Sequence, residues 1–225
     1  MPGMVIERQP KNKSVALGPH AFGLRHVFLF TTMLAIYCAW LLFLYDGRVM
    51  TFNKISLAAS SMISAVALSG AFILINQYRR GRALPEHPGE NLLLAMGAIQ
   101  LFVMILSVPS TFIAPQDDWS RWHDLAAIVV VGAILVRMRS QDYWDWLFVF
   151  ILASCLWRIV GKQVGWGMTY ADFVNISKLL DATALLGGLA FVALDLRTGR
   201  RRSWLHWTGV ATYAANIGGA LAGVI

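Results

Sequence analysis

The chain has 225 residues, of which 57% are hydrophobic and only 14% charged, with a net charge of +7 and two cysteines; soluble domains carry about 25% charged residues. So little polar surface cannot coat a soluble globule, so much apolar surface excludes disorder, and two cysteines exclude a disulfide scaffold. What remains is an all-α, polytopic transmembrane helix bundle.

In chain order, residues 1–26 form a basic tail containing Arg8, Lys11, Lys13 and Arg25. Residues 27–225 form a single bundle with seven predicted spans, because a membrane-crossing helix needs about 20 mostly apolar residues. The spans are 27–45, 55–77, 91–113, 119–136, 143–160, 176–196 and 204–225. The runs are continuous, which argues against the alternating pattern of a barrel. The first three and the seventh are free of internal charge. The third contains Pro109 and ends near Pro115, which predicts a kink or early unwinding. The fourth reaches full length only if it starts near Trp119, with Asp117 or Asp118 as N-cap. The sixth must take in Lys178, Asp181 and Asp195, because its uncharged middle, 182–194, is too short alone.

Basic residues mark the cytoplasmic side of short loops. Thirteen of the 19 Lys and Arg residues fall in the tail and on every second connection, which predicts a cytoplasmic N-terminus and an outside C-terminus. The first apolar run is longer than a signal-peptide core and no A-x-A site follows, so it reads as a retained anchor. The stretch Phe22-Gly-Leu-Arg25 followed by Thr31-Thr32 resembles the opening of uncharacterised bacterial multi-pass membrane proteins. That resemblance implies a bacterial inner-membrane protein and brings no activity with it.

Small residues at i, i+4 spacing predict buried packing faces, since helices in lipid associate by close approach. They include Ser56, Ser60 and Ser64; Ala211, Ala215, Gly219 and Gly223; Thr208, Thr212, Asn216 and Ala220; and Ser177, Asp181, Ala184 and Gly188.

Ionisable residues within spans are the natural site candidates. Arg158 and Asp181 lie near the outer ends of antiparallel spans. With Lys178 and Ser154 they make either a polar pocket opening outward or a structural ion pair. Gln100, Ser64, Thr183, Tyr213 and Asn216 form a candidate polar lining at the midplane. Asp117, Asp118, His123 and Asp124 could bind a cation, but helix capping and a solvated loop explain them more simply, so no metal site is assigned. Glu86-His87-Pro-Gly-Glu90 reads as a turn. The connection 161–175 reads as an interfacial aromatic segment or a lid. Cys38 and Cys155 read as packing residues.

No P-loop, HExxH, CxxC or GxSxG pattern is present, and no cofactor is implied. The expected partners are the lipid bilayer, with anionic headgroups at the cytoplasmic face, and a protein partner in the membrane; nucleic acid is excluded because the arginines flank spans. Three functions stay open. A non-catalytic subunit or scaffold ranks first, a small-solute transporter or channel without midplane proton coupling second, and an intramembrane enzyme last, since no nucleophile–base pair is recognisable.

Overall fold

Apolar runs of this length leave the backbone no hydrogen-bonding partner but itself, so they coil. The computed structural model describes residues 23–45, 54–81, 87–113, 119–137, 143–164, 169–200 and 202–222. Among these residues the regular structure is seven α-helices with no strand. They are α1 (Leu24–Tyr45), α2 (Lys54–Arg79), α3 (Pro88–Ile113), α4 (Trp119–Arg137), α5 (Asp145–Val164), α6 (Tyr170–Arg197) and α7 (Trp204–Leu221).

Four of the helices contain stretches long and apolar enough to cross a membrane: Leu24–Leu41, Ala58–Arg79, Pro88–Leu106 and Tyr170–Arg197. Among the described residues the sixth helix is therefore one of the four, and the seventh is not. The reason lies in how each begins and what it contains. Thr169 caps α6: its hydroxyl accepts from the Asp172 N–H, and the Asp172 carboxylate accepts from the Thr169 N–H. This reciprocal cap starts α6 six residues before position 176. The predicted 161–175 connection shrinks accordingly, because α5 also runs on to Val164. Phe173 then stacks on Trp157 at 6.1 Å and fills the space beside Gly161. α7 has only 18 residues and is rich in Gly, Ala and Thr. α3 continues as helix through Pro109 to Ile113, whereas Pro115, Asp117 and Asp118 lie outside the described residues.

The helices α3, α4, α5, α6 and α7 touch one another in that cyclic order, with α7 closing back on α3. Each contributes to one apolar core at the centre of the ring: Leu92 and Ala95, Val131 and Ile134, Trp144 with Leu147 and Phe148, Ala184, and Tyr213. α2 packs outside the ring on α3 and α7, and α1 packs on α2 and α3. The starts of α1, α3, α5 and α7 lie at one end. His26 meets Trp204 ring to ring at 5.7 Å, Gly89 bonds His206, and Tyr143 bonds Asp195 at the end of α6. Arg79, Arg80, Arg137, Arg197, Arg200 and Arg202 gather at this basic end.

Small residues set the closest approaches. On α2, Ser61, Ser64, Ala65, Ala67, Ser69, Gly70 and Ala71 are buried, while Met62, Phe72 and Ile75 face outward. A Cβ on Gly97 would sit 2.6 Å from the Ala67 carbonyl oxygen, so α2 and α3 touch backbone to backbone. On α7 the expectation fails in part. Ala211 and Ala215 are exposed, and the buried face is Leu205, His206, Gly209, Thr212 and Tyr213. That face wins because it carries the large side chains the ring must cover as well as the glycine that meets α3. The α6 face is buried at Ala184 and Gly188, but a Cβ on Gly188 would meet only Leu147 methyls at 3.8 Å, an ordinary contact.

Candidate functional site

Two clusters of ionisable side chains stand at opposite ends of the five-helix ring. At the end away from the basic loops, Arg158 on α5 reaches two other helices. Its Nε donates to Asp124 Oδ1 of α4 at 2.8 Å, and its Nη1 donates to Asp181 Oδ1 and Oδ2 of α6 at 3.2 and 3.3 Å. Nη1 also donates to Ser154 Oγ and Nη2 to Cys155 Sγ, one turn back on α5. Ser154 Oγ in turn donates to Asp181 Oδ1 at 2.7 Å. One guanidinium, whose donors are fixed in a planar fork, thus ties three helices together.

The structure brings Arg158, Asp181 and Ser154 together and adds Asp124, which the sequence places in a loop with His123. Lys178 is exposed and stands outside the cluster. Arg158 keeps 25% of its side chain exposed, against 5% for Asp124 and 18% for Asp181. The cluster is therefore sunk between helices with a partly open side. Two carboxylates against one guanidinium leave a formal charge of −1 if all are ionised.

The basic-end cluster is deeper. Asp195, in the last turn of α6, is 1% exposed. Its carboxylate accepts from Tyr143 Oη, from Trp144 Nε1 at 3.1 Å, and from Arg202 through Nε at 2.9 Å and Nη2 at 2.8 Å. An acidic residue at a helix C-terminus opposes the helix dipole; the paired fork of Arg202 offsets this and closes the α6–α7 connection. His206 is fully buried beside it, with Nε2 3.7 Å from Asp195 Oδ2. The Gly89 N–H donates to His206 Nδ1 at 2.8 Å, so Nδ1 carries no proton and the neutral ring presents Nε2–H toward Asp195. His206 in this way satisfies an otherwise unpaired N–H in the first turn of α3. Ser203, the N-cap of α7, accepts from the His206 N–H and donates to Glu90 of α3. Four helix ends are joined through side chains: α3, α5, α6 and α7.

Sequence reading missed this cluster. Glu90 and His87 look like turn residues, Asp195 looks like a span boundary, and His206 carries no local signal. One trace was available: Asp195 and Arg202 flank a short break between two apolar runs, a spacing that lets a chain reversal bring them together.

The expected midplane lining is not one buried set, since Thr183 faces outward. Ser64 and Tyr213 are buried, and Gln100 and Asn216 are partly buried. Thr183 is exposed on the outside of α6, its hydroxyl donating to the Leu179 carbonyl. The cavity beside Tyr213, lined also by Trp144, Leu147 and Gly188, holds about 10 Å³, about the room of a single water. Cys38 and Cys155 are free thiols. Among the described residues no group of three or more His, Cys, Asp or Glu is arranged to hold a metal ion.

The chain matches no protein-family model, and no curated protein and no solved structure is similar to it.

Proposed function

We propose that the chain is a seven-span protein of the bacterial inner membrane, N-terminus cytoplasmic and C-terminus outside, acting as a non-catalytic subunit or scaffold. At 1.5 Å per residue, α4, α5 and α7 are about 28, 30 and 27 Å long, close to the roughly 30 Å hydrocarbon core. Polar groups within these helices meet one another inside the bundle: Asp124 of α4 meets Arg158 of α5, and His206 of α7 faces Asp195. The basic end takes the cytoplasmic side by the positive-inside rule.

The observation that carries the scaffold reading is how the buried ionisable groups are used. They bind one another across helices at both ends of the ring, and the ring's middle is filled with Val131, Leu147, Phe148 and Ala184. This arrangement favours a fixed shape over a path or a reacting site. A second reading, small-solute transport, draws on the partly exposed Arg158 at one end and the ionic cluster at the other, which could act as two gates.

Isolation from native membranes in mild detergent, followed by reconstitution, separates the two. A stable complex with a stoichiometric membrane partner and no solute flux in proteoliposomes is the expected result; a monomer that conducts solute overturns it. For orientation, Arg197→Cys and Lys178→Cys are each placed in a chain whose native cysteines are alanine. A membrane-impermeant maleimide added to cells with a permeabilised outer membrane should label only the Lys178→Cys protein. Labelling of only the Arg197→Cys protein reverses the topology.

A further inference from the structure

A cavity of about 820 Å³ lies outside the ring, between α1 and α2. We propose that it binds one anionic glycerophospholipid of the leaflet at the basic end, with the phosphate held by Arg25 and Arg80. The inference rests on the membrane reading above and gives the expected anionic-lipid partner a specific seat.

Three observations point to this occupant. The first is the gradient along the groove. On α1 the lining runs Arg25, Phe28, Leu29, Thr32, the i, i+3, i+4, i+7 stripe of one helix face. The facing α2 stripe runs Phe72 and Ile73, then Asn76 and Gln77, then Arg80. Because the two helices are antiparallel, both arginines fall at the mouth and both aromatic residues lie deeper. From Arg25 to Thr32 is about 10 Å of helix, the depth from headgroup into acyl chain. Asn76 and Gln77 stand between, at the level of glycerol and ester groups that need hydrogen-bond donors.

The second observation is charge. Among the described residues the groove lining contains two arginines, one histidine and no carboxylate, so it complements an anionic headgroup and disfavours the ammonium of a choline or ethanolamine headgroup. The third is exposed apolar surface. Phe28 is 73% exposed and Phe72 50% exposed, so the protein itself does not cover these walls. An acyl chain covers them, whereas a free phosphate does not.

The test is native mass spectrometry of the full chain in mild detergent, offered phosphatidylglycerol and phosphatidylcholine in equal amounts. Wild-type protein should retain one phosphatidylglycerol in preference to phosphatidylcholine. Each arginine near an anionic lipid is worth about fivefold. Arg25→Gln with Arg80→Gln should therefore reduce the preference about 25-fold or abolish it, while Arg197→Gln, exposed on the same end but outside the groove, should leave it intact. Phe72→Ser should weaken retention of both lipids with no change in charge. Soluble glycerol phosphate at the same concentration should not compete. Equal retention of the two lipids, an unchanged preference in the double arginine variant, unchanged retention in Phe72→Ser, or effective competition by glycerol phosphate each overturns the proposal. An alkaline carbonate wash separates the two levels. If it releases the chain from membranes, the membrane reading fails; if the chain stays but shows no preference, the lipid site alone fails.

Discussion

The contact between α3 and α7 allows a sharp test of the ring. A Cβ placed on Gly209 would lie 1.9 Å from the Gly89 carbonyl oxygen and 3.2 Å from Leu93 Cβ. An unstrained carbon–oxygen contact is about 3.3 Å, so Gly209→Ala must push the two backbones apart by about 1.4 Å at that point. No rotamer can relieve the clash, because the opposing atom is main chain. A shift of that size also breaks the 2.8 Å bond from the Gly89 N–H to His206. Overpacking costs about 1–3 kcal/mol, and a buried bond left unmade about 1–3 kcal/mol more. The expected loss is therefore about 2–6 kcal/mol, large against the total stability of a protein of this size. Gly188→Ala is the matched control. Its nearest atoms are Leu147 methyls at 3.8 Å, so the substitution should be neutral or gain up to about 1 kcal/mol of helix preference. Equilibrium unfolding in mixed detergent micelles measures both. Equal stability of the two variants, or loss only in Gly188→Ala, would refute the close α3–α7 crossing.

The ionic clusters yield further outcomes by the same assay. Arg202→Leu strands a fully buried carboxylate and should cost about 3–5 kcal/mol; adding Asp195→Asn should recover more than half. At the other end, Asp124→Asn should destabilise more than Asp181→Asn, because Asp124 is the more buried partner and holds the shorter contact. Exchanging charges as Arg158→Asp with Asp181→Arg should fail to restore stability, since the new carboxylate would face Asp124; full recovery would show that Asp124 is not a partner. Thr169→Ala removes the α6 cap and should cost about 1 kcal/mol, seen as faster amide exchange confined to residues 170–173.

Much of the helix count is local information. Hydropathy and the need to satisfy the backbone place α1, α2 and α4 within a few residues of their observed limits. The Thr169-x-x-Asp172 cap, which moves the start of α6, is also written in the sequence, but its apolar run begins later and masks it. Arg158, Asp181 and Ser154 could be paired because they lie on consecutive antiparallel helices, where depth can be counted from a shared turn.

Asp124 joining that pair could not be read so, since counting depth does not say which side of a helix faces which neighbour. His206 bonding Gly89 across 117 positions is more remote still.

The composition by itself determined that the chain is apolar and helical, because those properties depend on residue type and on spacing within a turn or two. The tertiary structure decided that five helices close a ring with α1 and α2 outside it, and that the buried acidic and basic residues collect at its two ends. It also decided that the glycines pressed against an opposing backbone are Gly89, Gly97 and Gly209. These outcomes depend on which faces meet, and side-chain fit between distant segments sets that.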